Sequence, residues 1–191
     1  MAATNRHGAL RADAQENYER ILAAATRVIA RDGTDASLSS IAAAAGVGIG
    51  TLYRRFPTRS HLIEAVYRGR VIALCESAPE ILADSPTAAT AMHSWLDAFI
   101  TMLIDNRGIP PALAPMLAQD SAFRTETRNH LLGAVNLLLG AGRQDGTLRD
   151  DVAAVDIVRS VTGIAHVSPR RDDTVGSVNL LLDGLAPGRR R

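Results

Sequence analysis

Lysine is absent from this chain of 191 residues, and cysteine occurs only once, at Cys75. A single cysteine excludes a disulfide framework and a thiolate zinc site within one chain. The five histidines show neither HExxH nor HxxxH spacing, so the sequence predicts no metal site and no cofactor. Cys75 is most simply a small apolar residue, since a redox sensor needs an exposed thiol with a lowered pKa. Because all 21 basic residues are arginine, one isolated arginine is weak evidence for phosphate binding.

Long apolar runs are missing as well. No stretch approaches the roughly 18 apolar residues of a membrane span. Charges at Arg6, Arg11, Asp13 and Glu16 interrupt any apolar core of a signal peptide. The sequence therefore predicts a soluble, cytoplasmic protein, and its 47% hydrophobic content is sufficient for one or two domains with a buried core.

The charge is unevenly distributed along the chain. The formal net charge is only +1, but residues 1–70 hold ten arginines and six acidic residues, whereas residues 71–191 hold eleven and fourteen. A basic first third on a mildly acidic remainder indicates that the first third meets an anionic partner. For Arg6 and Arg11 two interpretations stay open, a solvated tail or an arm that contacts nucleic acid.

The apolar residues recur mainly at helical spacing. No run alternates with the period of two that is typical of a strand, so the sequence predicts an all-α fold of about nine helices. Pro79 and the Asp-Ser-Pro segment at 84–86 indicate a connection. The predicted helices are 13–31, 38–45, 49–56, 59–77, 87–106, 112–119, 123–144, 150–167 and 174–185.

Two of these helices form a recognisable pair. The helices at 38–45 and 49–56 are joined by a three-residue turn that begins with Gly46, which fits a helix-turn-helix motif. The second helix of such a motif enters the DNA major groove, so its outer side must be slim. The alternative is an ordinary helical hairpin with a glycine turn. The residues predicted to contact DNA are Ser37, Gly48, Ile49, Gly50, Thr51, Tyr53, Arg54 and Arg59.

The stretch SLSSIAAAAGVGIGTLYRRFPTRSHLIEAV, residues 37–66, carries a family resemblance. Residues 14–70 resemble the DNA-binding domain of the TetR family of bacterial transcriptional regulators. The resemblance implies a homodimer on a palindromic double-stranded DNA operator, a small-molecule effector that binds the second domain, and a four-helix bundle between subunits. Gly48 and Ile49 depart from the Ser or Thr and the polar or basic residue that are frequent in the family.

The resemblance sets the expected domain organisation. Residues 1–12 are expected to be a flexible basic arm and 13–70 a three-helix DNA-binding domain. Residues 71–186 are expected to bind the ligand and to dimerise, and 187–191 to be a flexible tail. Candidate ligand-binding residues are Met92, Trp95, Phe99, Met102, Met116, Phe123 and His130, although the same apolar stripe would equally suit a core.

Two apolar stripes near the C-terminus predict the dimer interface. Both helices would need a core in any fold, but the second is also apolar at Leu180, which is more than one neighbour covers. The candidate interface residues are Val155, Val158, Thr162, Ala165, Val178, Leu181, Leu182 and Leu185.

These features favour a DNA-binding regulator, most simply a repressor that a small, largely apolar ligand releases. An enzyme would need a nucleophile–base pair, a metal cluster or a phosphate-binding loop, and the sequence shows none of these. Two alternatives stay open: a helical protein–protein adaptor, and an effector-independent regulator or activator.

Overall fold

The helices follow closely from the apolar spacing. The computed structural model describes residues 3–33, 35–105, 121–168 and 171–187, with side chains except at 3–14, 121 and 171–173. Within these ranges every regular element is a helix, which confirms the all-α prediction. The helices are α1 (Ala3–Asp32), α2 (Leu38–Ala45), α3 (Ile49–Arg55), α4 (Arg59–Glu76), α5 (Ala78–Asp84), α6 (Ala88–Asp105), α7 (Ser121–Gln144), α8 (Ala154–Val167) and α9 (Arg171–Asp183).

Two differences from the sequence prediction concern the start of α1 and the presence of α5. The first helix begins at Ala3, so residues 3–12 are helical where a flexible arm was predicted. The segment after α4 forms α5, where Pro79 indicated a connection. Proline is compatible with the first helical turn, because the N–H that it lacks would have no intrahelical partner there.

A third difference lies before α8. The sequence prediction started this helix at 150, but the chain stays irregular until Ala154. Arg149 pairs with Asp151 at 2.6 Å, and Arg143 donates to the carbonyl oxygen of Val152 at 2.8 Å. These side-chain contacts hold the segment in a loop conformation. The predicted helix 112–119, with Met116, lies outside the described residues.

The described residues divide into an N-terminal unit that ends at Tyr67 and a C-terminal unit that begins at Arg68, so the division falls within α4. In the N-terminal unit α2 packs against α1 and α3. Ile21, Ile41 and Leu52 are almost completely buried there. Burial of apolar side chains of this size, at about 1.5–3 kcal/mol each, is the main stabilising contribution.

The C-terminal unit is a separate helical assembly. Helix α6 contacts α5, α7, α8 and α9. Its buried face includes Trp95, whose indole N–H donates to the carbonyl oxygen of Leu74 at 2.9 Å. That hydrogen bond satisfies a polar group that would otherwise be costly to bury.

Candidate functional site

The turn between α2 and α3 is fixed by backbone geometry. Gly46 has a φ of +65°, and its N–H donates toward the carbonyl oxygens of Ala42 and Ala43. The next N–H, of Val47, also donates to Ala42 at 3.0 Å. Left-handed backbone of this kind favours glycine, since a Cβ would crowd the following carbonyl. The turn therefore ends α2 and redirects the chain within three residues.

The other end of α2 is capped by Ser37. The Ser37 hydroxyl accepts a hydrogen bond from the backbone N–H of Ser40 at 3.0 Å. It also lies 3.0 Å from the Ser39 hydroxyl. Serine is a preferred residue at this position because its oxygen satisfies one of the free N–H groups of the first turn. Ser37 is exposed, so its predicted contact with DNA is sterically open.

Most residues of α3 are exposed to solvent, and the glycines near its start keep the outer side slim there. Leu52 is completely buried and anchors the helix, while Ile49 and Tyr53 expose 43% and 49% of their surface. Gly48 and Gly50 are exposed, and a Cβ at either position would meet no atom within 4 Å. This part of α3 therefore combines partly exposed large side chains with bare backbone.

Two polar residues of the same side are already connected to each other. The Arg54 guanidinium donates to the Thr51 hydroxyl oxygen at 3.0 Å. This bond orients the arginine across the exposed surface of α3 and leaves its other N–H groups for a ligand oxygen. Thr51 is half-buried, and Arg54 is exposed.

A small aromatic cluster fixes the end of α3. Phe56 is buried, and its ring stacks on Tyr18 of α1 with centroids 5.5 Å apart. The Arg55 guanidinium lies 4.5 Å from the centre of the Tyr18 ring. Aromatic and cation–π contacts of this type contribute roughly 0.5–1.5 kcal/mol each. Sequence reasoning did not identify Tyr18 and Arg55 as supports of α3, because no local pattern joins residues that are 37 positions apart.

Arg59 is the first residue of α4, four positions after the end of α3. The preceding Thr58 caps α4, since its hydroxyl accepts from the N–H of His61 at 3.3 Å. Residues 37–62 contain three arginines, at 54, 55 and 59, and no acidic residue. Such a segment attracts phosphate oxygens.

The described ligand candidates lie in two different settings. Met92, Trp95, Phe99, Met102 and Phe123 are buried within the C-terminal unit, and none of them lines the three cavities described for that unit. His130 lies instead in an open groove of about 810 Å³ in the C-terminal unit. The prediction that the apolar residues bind a ligand stays a prediction, and Met116 is outside the described residues.

The groove around His130 includes residues that the sequence prediction passed over. Helix α7 contributes every third or fourth residue of one face, and the end of α4 contributes Cys75 and Glu76. The lining residues are Cys75, Glu76, Ala122, Thr125, Glu126, Asn129, His130, Gly133 and Ala134. Their helical spacing is visible in the sequence, but most are small or polar and do not stand out as an apolar stripe.

The interface candidates fall into two groups. Ala165, Val178 and Leu185 are buried within the chain itself. Val155, Val158, Leu181 and Leu182 are half-buried and Thr162 is exposed. Leu180 and Val167 expose 76% and 77% of their surface, respectively. The outward surface of α8 and α9 is therefore partly apolar.

Two features are absent from the part of the chain that the structure describes. No helix there is both long enough and apolar enough to cross a membrane. No group of three or more His, Cys, Asp or Glu side chains in that part of the chain is arranged to hold a metal ion.

Comparison with known proteins finds a family model that matches each of the two units. A model of the family "bacterial regulatory proteins, tetR family" matches residues 21–66. A model described as "transcriptional regulator SbtR-like, C-terminal domain" matches residues 87–187, which is more than half of the chain. Both descriptions name regulators rather than enzymes.

Individual relatives agree with the family models. A TetR transcriptional regulator from Streptomyces coelicolor is 40% identical, with a TM-score of 0.74 over 88% of this chain and 98% of that one. A TetR regulatory protein from Mycobacterium vanbaalenii is 28% identical, with a TM-score of 0.70 over 93% and 99%.

A helix-turn-helix transcriptional regulator of Staphylococcus aureus strain USA300 is 31% identical over 101 residues, covering 52% of this chain and 55% of that protein. The chain thus matches about half the length of this curated relative. The two family models and the 40% identity over nearly the whole Streptomyces regulator lead to one conclusion: the chain belongs to the TetR family of bacterial regulatory proteins.

Proposed function

We propose that this protein is a homodimeric transcriptional repressor that binds a palindromic operator through α3 and is released by a small, largely apolar molecule. The observation that carries the proposal is the exposed side of α3, where Ile49 and Tyr53 stand beside the uncovered glycines 48 and 50. A helix with this slim outer side fits the major groove, which is about 12 Å wide.

The residues of this side divide into two roles. Tyr53, Arg54 and Arg59 suit phosphate oxygens, which position the protein without reading sequence. Ile49 is placed to pack on a thymine methyl group and Thr51 to reach a base edge. Gly48 and Gly50 allow the backbone at the N-terminus of α3 to come close to the DNA. Ser37 adds a hydroxyl group at the N-terminus of α2.

A homodimer would match the palindromic operator of this proposal. Two copies of α3 that read two half-sites must lie about 34–36 Å apart, one turn of the double helix. The exposed apolar surface of α8 and α9, with Leu180 at its centre, supports a subunit contact. A symmetric dimer of this kind matches a symmetric operator.

Release by an effector requires a difference in affinity. The small molecule must bind a conformation with altered operator affinity better than it binds the DNA-competent one. Helix α4 begins in the N-terminal unit and ends in the C-terminal unit, so it is the covalent path between the two functions. An effector-independent regulator would show no such coupling.

The experiment is a fluorescence anisotropy titration of the purified protein against labelled DNA from upstream of its own gene, at two salt concentrations and with competitor DNA. Because arginine contacts with phosphates release counterions, we expect tight binding that weakens steeply with salt. Arg54→Ala should weaken binding to all DNA sequences alike. Thr51→Ala and Ile49→Ala should change the preference among operator variants by about 1–3 kcal/mol per altered base contact.

The matched control is Arg124→Ala, which removes the same charge from an exposed side chain of α7. This variant should bind the operator like the parent protein. A uniform loss from Thr51→Ala, Ile49→Ala and Arg54→Ala would contradict the assignment of base-reading residues. DNA binding that does not weaken with salt would contradict contacts to phosphates and favour the alternative of a protein–protein adaptor.

A further inference from the structure

The groove in the C-terminal unit has a well-defined chemistry. Its floor is one face of α7 from Ala122 to Ala134, and Cys75 and Glu76 of α4 form its edge. Its volume of about 810 Å³ lies in the range of small-molecule sites, roughly 300–1,000 Å³. The small side chains at 122, 133 and 134 leave this space open, and a Cβ on Gly133 would meet no atom within 4 Å.

The lining of the groove is acidic, although Arg68 outside the lining balances one of its two carboxylates. Two carboxylates, of Glu76 and Glu126, are among its lining residues, and no arginine is among those that the structure describes. The polar residues Thr125, Asn129 and His130 add hydrogen-bonding groups along the same face of α7. Cys75 adds an uncharged group, because burial and the nearby Glu76 raise the pKa of its thiol to about 11. Because Arg68 balances the charge of Glu126, the net negative charge of the described lining comes from Glu76, and the groove is better suited to a cation than to an anion.

Glu126 has a second role in the C-terminal unit. Its carboxylate forms an ion pair with Arg68 of α4. The Arg68 guanidinium lies 4.9 Å from the centre of the buried Phe123 ring. The two charged side chains are 35% and 42% exposed, so water and ligands can reach the pair. A partly exposed ion pair of this type is weak, so a ligand of comparable charge can compete with it.

We propose that this groove is the effector site and that it binds a small organic cation with an apolar body, whose positive group competes with Arg68 for Glu126. The inference rests on the proposed function, in which an effector releases the repressor. The apolar body lies along the small residues of α7, and Glu76 supplies a second carboxylate at the α4 edge. When a ligand occupies the groove, Arg68 loses its ion pair with Glu126. Arg68 belongs to α4, and α4 also contributes residues to the DNA-binding unit.

The test compares three probes that share one ten-carbon chain: decyltrimethylammonium, 1-decanol and decanoate. Each is titrated into the full-length protein by calorimetry, below its micelle-forming concentration. The cation should bind at least about fivefold more tightly than decanoate. Glu126→Gln should reduce that preference and leave decanol binding unchanged, whereas Glu80→Gln, an exposed residue of α5 outside the groove, should have no effect.

A second pair of variants tests the location. Gly133→Met fills the groove and should weaken binding of all three probes. Gly140→Met places the same side chain on the same helix, at a glycine whose Cβ also meets no atom within 4 Å but which lines none of the described cavities. That control should bind like the parent protein. Equal loss in both variants would show that the groove is not the binding site.

Other outcomes separate this inference from the proposed function. Absence of cation binding, or tighter binding of decanoate, overturns the inference while operator binding can still be intact. Cation binding that leaves operator affinity unchanged overturns the assignment as an effector site. Failure to bind DNA at all, with cation selectivity retained, contradicts the proposed function instead.

Discussion

Gly46 is the residue on which the geometry of the DNA-binding motif depends most. Its φ of +65° is unfavourable for any residue with a Cβ. We expect Gly46→Ala to lower the free energy of unfolding by about 1–2 kcal/mol, because alanine would have to adopt the left-handed conformation. Urea denaturation followed by circular dichroism would measure the change.

The matched control for Gly46→Ala is Gly50→Ala, two residues into α3. Gly50 lies inside a helix, where alanine is favoured by about 1 kcal/mol, and its Cβ would meet no atom within 4 Å. Gly50→Ala should therefore leave stability unchanged or increase it. Destabilisation of similar size by both substitutions would contradict the argument from backbone conformation.

Cys75 is expected to be an unreactive thiol. Burial, and secondarily the charge of Glu76, raise its pKa to about 11. The reactive species is the thiolate, and only about one thiol in a thousand is in this form at pH 8. The rate of alkylation by iodoacetamide should be low at pH 7–8 and rise about tenfold per pH unit up to pH 10.

The urea-unfolded chain provides the reference rate for Cys75, since its thiol then has an ordinary pKa near 8.5. We expect the unfolded chain to react at least about a hundredfold faster than the folded protein at pH 7.5. Equal rates would mean that the thiol is not buried in the folded protein, and the interpretation of Cys75 as a packing residue would then be wrong.

At the scale of elements, Asp145 holds the beginning of α6. Its carboxylate accepts from the N–H of Ala88 at 2.9 Å and from both the N–H and hydroxyl of Thr147. The Thr147 hydroxyl in turn accepts from the N–H of Ala89 at 3.2 Å. The loop after α7 thereby supplies the cap that the first turn of α6 needs.

Asp145→Ala should lower the thermal unfolding midpoint, and it should do so only while the carboxylate is charged. The hydrogen bond from Thr147, and then those from backbone N–H groups, lower the pKa of Asp145 below its ordinary value of 3.8. The carboxylate therefore stabilises the folded protein above that value, and this contribution is lost as the pH falls below it. Melting curves between pH 7 and pH 2.5 should converge for the parent and the variant.

Asp150→Ala is the control for Asp145→Ala, because it removes an exposed carboxylate from the same loop. It should change the midpoint little at any pH. Curves that stay equally far apart at pH 2.5 would show that Asp145 acts through packing and not through its charge.

The elements also show where sequence reasoning succeeds. The limits of α2 and the start of α3 were predicted correctly, because Ser37, Gly46 and Pro57 act through local chemistry. Helix α5 was missed because Pro79 was interpreted as a break, although proline fits a first turn. The same limitation affects the candidate ligand residues, since the periodicity of Trp95 and Phe99 is identical for a core and for a cavity wall.

The groove beside α7 needed the tertiary structure. Thr125, Glu126 and Asn129 share a helix face in the sequence, but polar residues with that spacing usually face water. Only the ion pair with Arg68 and the position of the end of α4 show that this face borders a cavity. Support of α3 by Tyr18 is hidden for the same reason, because the contact joins distant parts of the chain.

At the scale of the whole molecule, the main prediction concerns assembly. Leu180 lies on the side of α9 opposite the buried Val178, and 76% of its surface is exposed. Such exposure of a large apolar side chain is expected at a subunit contact. We expect Leu180→Glu to shift the protein from dimer to monomer in sedimentation velocity at micromolar concentration. Because the side chain is not part of the chain's own core, the circular dichroism spectrum should be unchanged.

Ser160→Glu tests whether any added charge on this surface has the same effect. Ser160 is exposed on α8, on the side away from Thr162, and its substitution should leave the dimer intact. The Leu180→Glu monomer should also lose affinity for a two-half-site operator far more than for a single half-site, since the second contact is then no longer intramolecular. An unaffected dimer would contradict the proposed interface.

The open backbone at the start of α3 has a consequence for how operator preference evolves. A Cβ at Gly48 or Gly50 meets no atom within 4 Å, so in the proposed complex a small side chain at either position would reach the DNA with little steric cost to the fold. Gly48 is extended, with φ −68° and ψ 144°, a conformation that serine, threonine or asparagine adopts readily and that also lets them cap the helix. After a gene duplication, these two positions would allow two copies to diverge in the promoters that they recognise while both remain folded.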